Sequence, residues 1–457
     1  MRLQTANMRK RQIVIAVATC FCLIVFAVLA QHPLAMVVGG LLPLIIICTL
    51  RVPLLLVLAF SIFSFFRIHE VFPVLYPLHI PQLLALGALV SLAWGIWCRT
   101  VTIYWNRELK AFGFFFIIVT IGLLFATNRT EAWAAWSGTY VKIAVMTFAL
   151  SWLVSSPRAF RYAIRAFIWS GIIVSTVALY NKMNAIGLVE GTRVTIGRDI
   201  GSMLGDPNDL ALVMLFPASF ALASLLSKQE GKTTRFIAAI GFVIAFAAII
   251  ATQSRGGLLG ITAVMGVFAW RRIQHKSLLI AFSSIALLLL FALAGVDDRA
   301  SGGGHEAGID ESAMGRIYAW GAAWQMALSH PLTGVGLKNF ISNYWSYSTH
   351  WDGTNHAVHS TWFGVLAETG FLGLTVFIAM TFVTVRSAVQ SVTQLTPSKG
   401  SPLVMAQAIE AGLAGFIVCG TFLTMGFSWP FYILLALTSA VSQYARSASF
   451  SASQTEK

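Results

Sequence analysis

Three side chains in this 457-residue chain have the type and setting for chemistry beside an apolar phase: Arg255, Arg316 and His359. Arg255 stands in ATQSRGGLLG, between two apolar runs with almost no loop around it. An arginine near membrane depth is costly unless it is paired or faces a polar cavity. Gly256 and Gly257 beside it leave room for a bulky ligand to approach the backbone. Arg316 opens a Trp-rich segment of helical spacing. A helix N-terminus carries partial positive charge, so a cation there suits an anion site better than it suits helix stability. His359 stands where a long polar segment enters an apolar run, a place for a general base with a rigid support. From His359, Gly370 and Gly373 follow at close to three and four helical turns. The three then share one helix face, and the two glycines let another helix pack close below the histidine.

Other polar residues are weaker candidates. Arg193 and Arg198 add positive charge from a second polar segment. GDPND at 205–209 reads as a helix start, with Asp206 as N-cap and Pro207 in the first turn. Glu368 and Tyr318 are candidates to support His359. His350, His356 and His359 with Asp352 invite a metal reading, but no second cluster of Asp, Glu or Cys completes a site, so no metal and no cofactor are expected. An enzyme built this way neutralises a phosphate with arginine.

The elements that must position these residues follow from composition. Hydrophobic residues make up 57% of the chain and charged ones 11%, against about 25% charged in a soluble domain. That excludes a soluble enzyme and a disordered chain. Apolar runs lie near 13–30, 33–50, 53–66, 80–98, 111–126, 137–153, 166–180, 209–226, 236–252, 257–270, 278–295, 360–383, 404–424 and 429–444. Several are short, so the expectation is an all-α polytopic membrane protein of about 12 spans, with 12–14 as the range. The formal charge of +14 is spread between the runs, so it signals topology and not nucleic acid. Arg9, Lys10 and Arg11 before the first run put the N-terminus in the cytoplasm. The same alternation puts Arg271, Arg272 and Lys276 there, and most acids on the opposite side. The five cysteines lie in apolar runs and read as small buried hydrophobes.

Three regions result. Residues 1–295 hold N-terminal transmembrane helices with an outward loop near 181–208. Residues 296–358 form a large outward loop. Residues 359–457 hold the C-terminal transmembrane helices. The large loop begins glycine-rich, which predicts mobility over 296–315. It continues with Ile317, Trp320, Trp324, Ala327 and Leu328 at helical spacing and is stopped by Pro331. That pattern predicts a helix lying on the membrane surface with Trp at the interface.

At this point the residues resemble a family. His359-Ser360, nine residues, then Gly370-x-x-Gly373 is similar to a pattern of the bacterial O-antigen ligases, within a superfamily that includes O-antigen polymerases and oligosaccharyltransferase-like ligases. QSRGG at 253–257, GRIYAW at 315–320 and PLTGVGLKNF at 331–340 support it in order. The resemblance implies a metal-independent, membrane-embedded glycosyltransferase of the GT-C type. It implies transfer of O-antigen polysaccharide from undecaprenyl pyrophosphate to lipid A–core, at the periplasmic face of the bacterial inner membrane. His359, Arg255 and Arg316 take the catalytic positions, with Arg193, Arg198, Gly370 and Gly373 as substrate-binding candidates. The partners implied are the lipid-linked O-antigen, the lipid A–core acceptor and membrane lipids, with no nucleic acid. An O-antigen polymerase, a protein O-oligosaccharyltransferase and a transporter are the alternatives. The last calls for mid-bilayer charges, for which Lys142 and Glu410 are the candidates.

Overall fold

The computed structural model describes residues 51–277, 309–351, 353–398 and 400–455, with His305, Glu306 and scattered positions in 13–25 and 280–289. The run expected at 33–50 lies outside these residues, as do most of the 278–295 run and of the glycine-rich stretch; the run at 13–30 is described in part, and there it is helical. The other eleven apolar runs are all helical. They correspond to α1 (Pro53–Phe65), α2 (Ile80–Trp97), α3 (Arg107–Gly122), α4 (Val141–Leu153), α5 (Pro157–Met183), α6 (Pro207–Leu226), α7 (Lys232–Ala251) and α8 (Arg255–Arg272). After α9 (Glu311–Ser329) and α10 (Phe340–Tyr347) come α11 (Thr361–Leu395), α12 (Ser401–Gly420) and α13 (Trp429–Thr455). Among the described residues, seven helices are long and apolar enough to cross a membrane: α2, α3 with its extension to Phe125, α5, α6, α7, α11 and α12. Strand is confined, among those residues, to a ribbon pairing His305–Glu306 with Ile309–Asp310.

The helix starts follow from local chemistry. Asn106, Ser156, Asp206, Ser254 and Ser360 each accept a backbone N–H from the first turn of the helix they precede, satisfying donors that the helix cannot. Proline stands in the first turn of α1, α5, α6 and α12, where its missing N–H costs nothing.

α6 is the centre of the bundle. Every residue from Leu210 to Ser224 is buried, and α5, α7, α8 and α12 pack around it. A helix apolar on all sides belongs in that position. Phe216 and Phe220 stack with Phe65 and Phe167. On the outside, Leu83, Leu86 and Trp97 of α2 and Phe236 and Val243 of α7 are exposed, as expected of surfaces that face lipid. Glu410, noted as a mid-bilayer charge, is held by Arg271 through two hydrogen bonds of 2.6 and 2.8 Å. The described cysteines are free; Cys20, Cys98 and Cys419 are buried, whereas Cys22 is exposed.

α11 is not one straight rod. Gly370 has φ 69° and ψ −172° and breaks the helix. Fifteen residues of straight helix span about 22 Å, yet the rings of Trp362 and Phe377 lie 5.8 Å apart. The chain therefore folds over at Gly370 into a short arm, 361–369, beside a long one, 371–395. This corrects the expectation that His359, Gly370 and Gly373 share a face of one helix with another helix packed below. The partner at the break is the loop 331–335. Phe371 N–H donates to Pro331 O (2.8 Å) and Val335 N–H to Ala367 O (2.8 Å). A Cβ on Gly370 would stand 2.5 Å from Pro331 O, and one on Gly334 2.4 Å from Ala367 O and Thr369 N. Both positions need glycine for their positive φ and for the contact itself.

α9, α10 and the short arm of α11 form a small second core of Ala319, Ala322, Ala323, Met326, Val335, Phe340, Tyr344, Val358 and Ala367. The helix expected here is present. Small residues and Met326 face inward, while Ile317, Trp324 and Leu328 are 46%, 46% and 52% exposed. Of the large residues, Trp320 docks: its Nε1–H donates to Val358 O (3.0 Å) and its ring stacks on Phe363. Alanines allow the close approach to α11 that large side chains would prevent.

Candidate active site

The N-termini of α6, α8 and α11 meet at one end of the bundle. Ser254, the N-cap of α8, donates its hydroxyl to Asn208 Oδ1 in the first turn of α6 (2.8 Å). Gly256 of α8 lies against Cys419 and Phe422. Thr361 of α11 donates to Leu423 O (2.7 Å) and accepts the Met425 N–H (3.2 Å). α8 and α11 thus both rest on the turn that follows α12. Three helix N-termini collected in one place favour an anion there.

The loop 184–206 covers this end. It is bound to α7 by the Val194 N–H to Ala251 O bond (3.2 Å) and to itself by Ile196 N–H to Leu204 O (3.0 Å). Arg193 is buried within it. Its Nε donates to Thr252 O (3.2 Å) and its Nη2 to Asn208 Oδ1 (3.0 Å), and Glu190 lies 3.8 Å from Nη1. Each hydrogen bond from a charged group contributes about 1.5–3 kcal/mol. Burial lowers the pKa of Arg193; Glu190 and Asp206 oppose that shift and the charge of Arg255 reinforces it. Arg193, Arg255 and Asp206 are therefore electrostatic neighbours.

His359 completes the group from the other side. It has φ 45°, a left-handed conformation, immediately before the N-cap Ser360. Such backbone costs on the order of 1–3 kcal/mol and must be held by its surroundings. Those are Trp320 on Val358 before it and the Ser360 and Thr361 bonds after it. The imidazole is half-buried. Burial and then the Arg316 charge hold its pKa below the ordinary histidine range; Asp206 pulls the other way and His356 adds to the lowering. That lowering favours the neutral ring, the form that accepts a proton. Docking of α9 through Trp320 is what brings Arg316, one turn earlier, to this histidine.

The residues singled out in the sequence divide accordingly. Arg255 acts on Arg193 and Arg316 acts on His359, while the Asp206 charge acts on both Arg193 and His359. Arg198 does not join them: it is exposed at the loop tip and donates to Gly205 O (3.3 Å) of its own loop. Gly370 lies at the break, at the far end of the short arm from His359, and Gly373 in the first turn of the long arm. The space expected beside Gly257 is filled by α6, since a Cβ there would stand 2.5 Å from the Ala211 Cβ. Glu368 accepts the Lys338 N–H (2.7 Å) and so holds the start of α10; Tyr318 stacks on His350. Neither of these contacts is with His359. Among the described residues no group of three His, Cys, Asp or Glu is placed to hold a metal ion.

Two residues were underread. Asp206 caps α6 as the GDPND pattern predicted, accepting from the N–H groups of Asn208 (2.7 Å) and Asp209 (3.3 Å), but its charge also acts on both Arg193 and His359. Asn208, in the same pattern, joins loop, α6 and α8 through one oxygen. The signal was the density of polar residues at the mouth of the most apolar helix.

Residues 240–378 match the family model described as O-antigen ligase. The match contains Arg255, Arg316, His359, Gly370 and Gly373, and Arg193 and Asp206 precede it. No curated protein matches the chain significantly.

Proposed function

The chain being a member of the O-antigen ligase and polymerase superfamily, we propose that it is an O-antigen ligase. In this reading it transfers polysaccharide from undecaprenyl pyrophosphate to lipid A–core. It is a metal-independent, inverting glycosyltransferase of the GT-C type, with about twelve spans. It lies in the bacterial inner membrane with its N-terminus in the cytoplasm and its site on the periplasmic face.

The observation that carries this reading is the half-buried His359, under the charge of Arg316, at the end of the bundle where the N-termini of α6, α8 and α11 meet. The donor's reacting atom is an anomeric carbon whose leaving group is a pyrophosphate. As the C–O bond to that group breaks, negative charge grows on it. Arg255 and Arg316, with the positive ends of α6, α8 and α11, oppose that charge without needing to reorganise. Arg193 is fixed by Asn208 and Thr252 and adds to the same field. His359 accepts the proton of the acceptor hydroxyl as its oxygen bonds to the anomeric carbon. Such a base contributes roughly 10²–10⁴ in rate. Attack on the side opposite the pyrophosphate inverts the configuration. Arg198 at the loop tip is assigned to the glycan or lipid entering the site, and Gly370 and Gly373 serve binding indirectly, by shaping the bend that sets the short arm.

The test is transfer with purified components: protein, undecaprenyl-pyrophosphate glycan and lipid A–core, with EDTA and without nucleotide. Glycan attached to lipid A–core in wild type and not in His359→Ala supports the reading. Elongation of the lipid-linked glycan, with no transfer to lipid A–core, makes the protein an O-antigen polymerase. Neither product rejects glycosyl transfer.

A further inference from the structure

A row of aromatic side chains near His359 has no part in the mechanism above. Tyr318 of α9 stacks face to face on the His350 ring, with centroids 4.4 Å apart and planes at 15°. Trp351 and His356 both contact Tyr344, at 6.3 and 5.5 Å. His350 is exposed, and Trp351 keeps 48% of its surface open. His356 Nε2 and Thr354 Oγ1 lie 3.2 Å apart.

The placement is informative. Arg316 and Tyr318 are about 200° apart around α9, with Trp320 on the Arg316 side docked against the start of α11. The segment that carries His350, Trp351 and His356 ends at His359, which feels the charges of both Arg316 and His356. It therefore connects the aromatic shelf on one edge of α9 to the candidate active site on the other.

Two occupants suit an exposed tryptophan: the bilayer interface and a sugar ring. The local chemistry favours the sugar. Around Trp351 the sequence is STHWDGTNH, without an aliphatic residue to enter lipid. The large apolar exposed stripe of α9 is elsewhere: Ile317, Trp324 and Leu328 lie about 100° around the helix from Tyr318. An aromatic face carries partial negative charge and attracts the C–H face of a sugar ring. The histidine and threonine groups at the rim exchange hydrogen bonds with hydroxyls.

We propose that Tyr318, His350, Trp351 and His356 form a saccharide subsite, holding a sugar unit of a glycan whose reacting end lies at His359. The choice of ligand rests on the glycosyl-transfer reading above; the existence of the subsite is tested without transfer.

The experiment is calorimetric titration of the full chain in lipid nanodiscs, in a His359→Ala background, with two lipid-free probes. One is an oligosaccharide of O-antigen repeat units and the other is delipidated core oligosaccharide. Saturable binding of one probe is expected, weakened at least fivefold by Trp351→Ala and by His350→Ala. Both residues are exposed, so the fold does not depend on them. Trp345→Ala, a second exposed tryptophan outside the shelf, leaves binding unchanged. The probe that binds identifies the glycan as donor or acceptor. Absence of saturable binding by either probe overturns the proposal, as does equal binding by Trp351→Ala. Quenching of Trp351 by brominated lipid, read as the difference between wild type and Trp351→Phe, also overturns it by making the residue a bilayer anchor. Binding that persists where purified-component transfer fails removes the transfer reading and leaves the subsite.

Discussion

α8 and α11 begin in the same way and are supported differently. Each start has a non-glycine residue of positive φ, Gln253 at 52° and His359 at 45°, followed by a serine N-cap. Both rest on the turn after α12. At α8 the candidate residue, Arg255, follows the cap; at α11 the candidate residue, His359, precedes it. The α8 start is tied into the bundle, with Ser254 Oγ bonded to Asn208 and accepting the Gly257 N–H (3.2 Å). The α11 start has a longer cap bond, Phe363 N–H to Ser360 (3.5 Å), and takes further support from Trp320 of α9 and from the loop clasped at Gly370. One half of the site is built by the main helical bundle, and the other depends on the small second core.

The largest effects come from removing the two candidate residues. Arg255→Ala and His359→Ala are each expected to lower transfer by about 10²-fold or more with unchanged yield and elution of the purified protein. Retained activity in either variant would break the pairing of the two helix starts. Next comes the clasp. Gly370→Ala places a Cβ against Pro331 O at positive φ and is expected to cost about 1–3 kcal/mol, with faster proteolysis in 331–335. Gly256→Ala, where a Cβ meets only ordinary contacts of 3.6 Å or more, is the matched control at α8 and is expected to leave the melting temperature nearly unchanged. Equal melting temperatures for the two variants would show that the α11 half does not depend on its clasp.

The caps give a smaller contrast. Ser254→Ala is expected to cost about 1–2 kcal/mol and Ser360→Ala about 0.5–1 kcal/mol, because only Ser254 also bonds to Asn208. Thermal unfolding measures both, and the reverse order would mean that α11 is the better anchored start. The smallest effect is on pH. Arg316 lowers the pKa of His359, so removing that cation favours the protonated ring. Arg316→Gln is expected to move the acid limb of the pH–rate profile upward by a fraction of a unit. An unmoved limb, or one moved downward, separates Arg316 from the histidine.

Much of the bundle was legible because a membrane span leaves a long apolar run. Each of the eleven expected runs within the described residues is a helix. The GDPND start was legible because Asp at the N-cap and Pro at the next position are a local chemical signal. The fold at Gly370 was not. A glycine in an apolar run reads equally as close packing or as a break, and the choice was made by Pro331 and Gly334, more than thirty residues away. In α9, which approaches α11 closely, alanine is the inward residue and the large apolar side chains turn out. The electrostatic coupling of Arg193 to Arg255 and of Arg316 to His359 had no local signal, since it depends on the loop 184–206 bonding to α7 and on α9 docking through Trp320.

The short arm between His359 and Gly370 also works as a setting for angle. Its outer end carries the histidine, and its inner end is fixed by the clasp to Pro331 and Val335. One residue inserted into that arm would turn the histidine by about 100° around its axis and advance it by about 1.5 Å. The same insertion in the long arm beyond Gly373 would leave the histidine in place and turn instead the buried stripe of Phe377, Met380, Thr384 and Ala388. The length of the short arm is therefore set by the site, and that of the long arm by the bundle it packs against.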